Sequence, residues 1–153
     1  MSKIELQATE NLKGAIAGAF HQCMETGALP RAEIPDFTVE TPTDSTHGDR
    51  ASNAAMVGAK AFRMPPRKIA EAIQKNVDLS GTYFDRCEIA GPGFLNFFFS
   101  RRFYGDVIKE ILRAGPEYGR SDFGKKEKVM VEFVSANPTG PMHMGNARGG
   151  ALG

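Results

Sequence analysis

The sequence predicts an α+β fold: a small antiparallel sheet with helices, followed by the first strand and helix start of a nucleotide-binding α/β unit. Three observations carry this reading. Apolar residues return at helical intervals near the start of the chain and again after residue 100. Two β-rich runs flank Gly91-Pro92-Gly93. A near-continuous apolar run, Val129-Met130-Val131-Glu132-Phe133-Val134, opens onto a Pro/Gly-rich loop and a Gly/Ala-rich helical start.

Taken in order, Ile4, Leu12, Ile16, Phe20 and Cys23 fall mostly four residues apart with Glu10, Lys13 and Glu25 between them, which is the pattern of an amphipathic helix. Gly27 is placed to stop it. Ile34 to Thr41 alternates β-favouring and polar residues and predicts a strand, followed by a polar loop from Thr41 to Arg50. His47 in that loop is expected to cap a helix start led by Asp49. Ser52 through Phe62 is rich in Ala with Met56 and Val57; Met64-Pro65-Pro66 breaks it, and Pro66 opens another helix through Ile69, Ala72 and Ile73. Phe84 to Ala90 and Phe94 to Phe99 read as a hairpin. Ser100 can cap a helix whose Phe103, Val107, Ile108, Ile111 and Leu112 form one apolar stripe, ended by Gly115-Pro116. Residues 1–115 therefore form one α+β unit, 116–128 a polar, basic linker, and 129–153 the start of a second domain.

At 153 residues the chain can build one compact core and begin another. Its 41% hydrophobic and 24% charged residues are those of an ordinary soluble globular protein, which excludes a disordered or membrane class. A net charge of +1 exerts no global pull on a polyanion, so any nucleic acid binds through a local patch. Cys23 and Cys87 stand apart with no CxxC or Cys/His grouping, so they read as buried, reduced thiols, and neither a disulfide nor a metal site is expected. No apolar run spans a bilayer and Met1-Ser2-Lys3-Ile4-Glu5 lacks a signal core, which points to the cytoplasm and to no membrane partner.

The chemistry concentrates in Glu132 to Gly153. A loop between a buried strand and a helix start presents backbone N–H groups and the positive end of the helix dipole to phosphate. His143 adds a polar ring there, and Gly145 removes the Cβ that would block a close approach by adenine or ribose. Glu132 interrupts the apolar run, and burying it would be costly without a cation partner.

His143-Met144-Gly145-Asn146 after a strand resembles the HIGH signature of class I aminoacyl-tRNA synthetases. The wider run, Glu132-Phe133-Val134-Ser135-Ala136-Asn137-Pro138-Thr139-Gly140-Pro141 before it and Ala147-Arg148-Gly149-Gly150-Ala151-Leu152-Gly153 after it, is similar to the arginyl-tRNA synthetase family. The resemblance implies a Rossmann-like catalytic domain in which His143 and Asn146 are catalytic, contacting the ATP phosphates as arginine's carboxylate attacks the α-phosphorus. It implies ATP binding by Pro141, His143, Gly145 and Asn146, within a motif running from Ala136 through Asn137, Pro138, Thr139, Gly140, Pro141 and Met142 to Asn146. It places arginine against Glu132, Ser135, Asn137 and His143, a carboxylate suiting the guanidinium. Asn146 stands where the signature ends in His, so its hydrogen bond is neutral and independent of pH. Gly140 stands where some members carry Lys, so the full enzyme is expected to keep its lysine in a later KMSKS-type loop.

The front of the chain carries the likeness too, in His47-Gly48-Asp49-Arg50-Ala51-Ser52-Asn53-Ala54-Ala55-Met56, in Pro66-Arg67-Lys68-Ile69-Ala70 and in Ile89 to Phe97. In the family this domain touches the D-loop of tRNA, and the matching positions put Asn96, with Phe94 and Phe99 nearby, at the contact. Alternation places Phe94, Asn96 and Phe98 on one face and Leu95, Phe97 and Phe99 on the other, so Phe99 joins Asn96 only if the strand ends or twists there. Arg67, Lys68, Arg101 and Arg102 are candidate phosphate contacts. The expected partners of the full-length enzyme are ATP with Mg, arginine and tRNA(Arg), with no tightly bound cofactor. The chain alone is expected to be inactive and to self-associate through its tail, and the alternative is a stand-alone, non-catalytic tRNA-binding module.

Overall fold

The computed structural model describes residues 3–137 and 139–152, so Pro138 of the nucleotide motif lies outside the described residues. The chain divides into two compact units, Met1–Gly119 and Arg120–Gly153, the division falling inside the expected linker.

In the first unit, α1 (Lys3–Glu25) buries Ala8, Leu12, Ile16, Ala19, Phe20 and Cys23, residues three or four apart that share one face. Gly27 at φ 75° ends it, and the Leu29 N–H returns to the Cys23 carbonyl at 3.0 Å. Helices α2 (Ala54–Phe62) and α3 (Pro66–Asn76) follow, separated by Arg63 in the left-handed region, with Pro66 opening α3. Strands β1 (Val39–Glu40), β2 (Arg50–Ser52), β3 (Phe84–Ala90) and β4 (Phe94–Phe99) form an antiparallel sheet in the order β1-β2-β4-β3. The three helices supply Leu12, Phe20, Phe62, Ile69 and Ile73 to a core that also takes Leu95 and Phe97 from β4. The expected α+β class, a small antiparallel sheet with helices, is what the chain forms.

Several elements differ from the sequence reading. The strand expected over Ile34 to Thr41 shrinks to β1, because side chains take the backbone groups a ladder would use: Ser52 Oγ donates to the Thr38 carbonyl at 2.8 Å and Asn53 Oδ1 accepts the Thr38 N–H at 2.9 Å. The expected loop and helix around residue 51 instead supply β2. Asp49 leads no helix; the helical turn nearby is 3₁₀, Ser45–His47, capped by Asp44. In α4 (Arg101–Ala114), Phe103 is buried and Val107 partly so while Ile108, Ile111 and Leu112 are exposed, since the helix reaches the core chiefly through Phe103, stacked 3.6 Å from Phe99. Ser100 is its N-cap but makes no side-chain cap bond.

In the second unit, the apolar run at 129–134 forms no strand. A parallel strand needs neighbours to receive its N–H and C=O groups, and among the described residues none pairs with it. The helix start does form, as α5 (Met144–Leu152). A Cβ on Gly150 would come 2.6 Å from Val134 Cγ2, so the glycine lets this helix lie close to the end of the apolar run.

Candidate functional site

The sheet face away from the core carries the candidate RNA contacts. Phe94 is 40% exposed there, and Asn96 beside it is 5% exposed, with a small part of its surface reaching solvent. Phe99 does not join them. It stacks on Phe84 at 4.7 Å and on Phe103 at 3.6 Å on the core side, with the Arg50 guanidinium 5.3 Å from its ring centroid. The strand therefore keeps its alternation to the last residue.

Two side chains that the sequence reading passed over complete this face. Pairing across the hairpin sets Glu88 opposite Asn96 and Arg86 opposite Phe98. Directly opposed residues of antiparallel strands share a face. The signal available in the sequence was the short Gly91-Pro92-Gly93 turn, which fixes that register. Gly93 at φ 144° is required at the turn: a Cβ there would sit 2.9 Å from the Pro66 carbonyl carbon.

The His47 to Asn53 motif braces β4 from behind and from its end. The Asp49 N–H donates to the Phe97 carbonyl at 2.9 Å, and the Asp49 carboxylate accepts the Phe99 N–H at 2.7 Å. Arg50, only 3% exposed, donates to Glu5 Oε1 at 2.6 Å and to Thr9 Oγ1 at 3.3 Å, tying β2 to α1. A buried guanidinium is tolerable because its donors are met. The candidate phosphate contacts are partly engaged within the chain: Arg67 donates to the Gly91 carbonyl at 3.2 Å and Arg102 lies over Tyr83 at 4.8 Å.

In the second unit, His143 stands immediately before α5. Its Nδ1 accepts the Gly145 N–H at 3.1 Å, and its carbonyl accepts the Ala147 N–H at 3.0 Å. With Nδ1 engaged, a neutral ring carries its proton on Nε2, which is left to donate outward. A Cβ on Gly145 would stand 3.3 Å from Nδ1, so the glycine leaves room for the His143 ring to fold back on the helix. Asn146 lies in the first turn and is exposed, as are Ala136, Thr139, Gly140, Pro141, Met142 and Met144. Glu132, Ser135 and Asn137 are exposed too, so the Glu132 carboxylate bears no burial cost in this chain. Among the described residues, no three His, Cys, Asp or Glu side chains gather where a metal ion could be held.

Residues 7–99 match the family described as arginyl tRNA synthetase N terminal domain. The arginine–tRNA ligase of Caldanaerobacter subterraneus subsp. tengcongensis is 49% identical over 153 residues, covering 100% of this chain and 27% of the relative. That of Acetivibrio thermocellus is 51% identical over 150 residues, covering 98% of this chain and 26% of the relative. The chain thus spans about a quarter of the length of the curated relatives it matches. The crystal structure of arginyl-tRNA synthetase from Plasmodium falciparum superposes with a TM-score of 0.53 at 19% identity, over 67% of this chain and 18% of that one, and at that identity shows a shared fold alone. With its N-terminal domain matched over residues 7–99 and close relatives aligned across both units, the chain belongs to the arginyl-tRNA synthetase family.

Proposed function

We propose that this chain supplies the tRNA-contacting front domain and the first ATP motif of a class I arginine–tRNA ligase, a cytoplasmic enzyme that activates arginine with ATP and attaches it to tRNA(Arg). The observation that carries the catalytic part is His143 as the N-cap of α5, its Nδ1 held by the Gly145 N–H. That bond leaves Nε2 free of the helix backbone, so it could donate to an anion bound at the amide end of the helix. His143 and the Asn146 amide would donate to phosphate oxygens as the arginine carboxylate attacks the α-phosphorus and pyrophosphate leaves. Glu132 would take the guanidinium by paired N–H donors, with Ser135 and Asn137 beside it. Mg would enter bound to the phosphates of ATP, since the described residues present no cluster to hold it.

The purified chain, given ATP, Mg, arginine and tRNA(Arg), is expected to form no arginyl-tRNA, because it spans only about a quarter of the relatives' length. It is expected to bind tRNA(Arg), with Asn96→Ala weakening binding about fivefold to tenfold. Turnover by the chain alone would overturn the division of labour, and binding untouched by the Asn96 change would remove the RNA face.

The complete core of the first unit also favours a second reading, a free-standing tRNA-binding module without catalysis. The intact mass of the native polypeptide in its source cells separates the two: 16.6 kDa supports the module and a much larger mass the ligase.

A further inference from the structure

On the outer face of the sheet, the Arg86 guanidinium carbon lies 3.7 Å from the centroid of the Phe98 ring, the separation of stacked planar groups. Glu88 Oε1 holds Arg86 Nη1 at 3.1 Å from the next position on that face. The Phe98 ring also lies close to Gly48, where a Cβ would meet its Cε1 at 3.3 Å. Arg86 and Glu88 side chains are 56% and 52% exposed, so their ion pair adds little to stability. What the arrangement does is hold a flat cation open to solvent, beside Asn96 and its aromatic neighbour Phe94.

We infer that Arg86 is an RNA-contact residue: its guanidinium plane, backed by Phe98 and oriented by Glu88, is the stacking platform for an unpaired tRNA base adjacent to the one met by Phe94 and Asn96. The inference rests on the RNA-contact reading of this face and extends it to a second nucleotide. Asn96 and Phe98 are neighbours on one face of β4, about 7 Å apart, so two successive splayed bases can be met side by side. A guanidinium suits this role because its flat faces stack on a base while its edge reaches a phosphate; an ammonium offers charge without a plane. Glu88 becomes a positioning residue that acts through Arg86.

The test uses the whole chain and tRNA(Arg) transcripts carrying 2-aminopurine at single D-loop positions, read by fluorescence quenching and by affinity at two salt concentrations. Two neighbouring positions are expected to be quenched on binding. Arg86→Lys should abolish quenching at one of them and weaken binding about fivefold to tenfold, while leaving the salt slope unchanged. Asn96→Ala should instead release the other position. Glu88→Gln should reduce the Arg86-linked quench in part, and Arg86→Lys and Glu88→Gln should melt with the wild-type chain because both side chains are more than half exposed; Asn96→Ala changes a buried side chain and is compared well below its own melting midpoint. Arg86→Lys that binds and quenches as wild type does, with Asn96→Ala still weakened, would overturn the inference alone. Wild-type chain without tRNA binding, or binding indifferent to both changes, would overturn the RNA face and the inference together.

Discussion

At Gly48, φ is 84° and a Cβ would stand 2.7 Å from the Phe97 carbonyl oxygen, so both backbone conformation and space demand glycine. Gly48→Ala should cost about 3 kcal/mol or more, seen as a lower urea midpoint at unchanged slope. Burial pushes the Cys87 thiol, itself only partly buried, up to about 12 and raises Cys23 as well, so both native thiols should alkylate more slowly than in denaturant at neutral pH. Three carboxyls are held below their ordinary value: Asp44 by bonds from Thr46, Asp78 by bonds from Ser80, and Asp106 chiefly by Lys109. Each depressed carboxyl contributes stability that is fully present above the unfolded value near pH ~4 and lost as pH falls through the folded value. Asp44→Asn and Asp78→Asn should therefore flatten the decline of the melting temperature in that acid window and change its slope little above pH ~5.

At the scale of elements, helices were legible and short strands were not. A stripe such as Leu12, Ile16, Phe20 and Cys23 repeats its period over about three turns and needs no partner to be read. Strand β2 has three residues, too few to show a period, and exists because β1 and β4 flank it. Likewise, 129–134 has a strand's composition without the neighbours that would make it one. In α4 the stripe was real, yet only Phe103 among its members is fully packed. Phe103→Ala should cost about 3 kcal/mol, whereas Leu112→Lys, at 76% exposure, should stay within about 0.5 kcal/mol in the same urea titration. The candidate site divides in the same way. Phe94 and Asn96 on one face followed from alternation along β4. Arg86 did not, because alternation counted from the inward Phe84 would turn it inward too; the bulge between Phe84 and Arg86 shifts the register, so Arg86, two positions on, faces outward, as the pairing carried back from the turn requires.

For the whole molecule, the distribution of apolar surface separates the two units. Every residue of the buried core lies between Ala8 and Phe103, inside the unit that ends at Gly119. The other unit exposes Phe123, Val129, Met130, Val131, Phe133, Met142, Met144 and Leu152. Large exposed apolar side chains in one short stretch favour association with whatever apolar surface they meet, and in a pure solution that is another copy. The first unit should therefore set the stability and the second the assembly state. A chain ending at Gly119 should unfold in urea at the same midpoint as the full chain and sediment as a monomer at all concentrations. The full chain should sediment faster as concentration rises, and Met130→Lys with Val131→Lys should reverse most of that rise while leaving the urea midpoint in place. A shifted midpoint on truncation would mean that residues after Gly119 contribute to the core, and a full chain that stays monomeric would mean that its apolar tail is covered within one molecule.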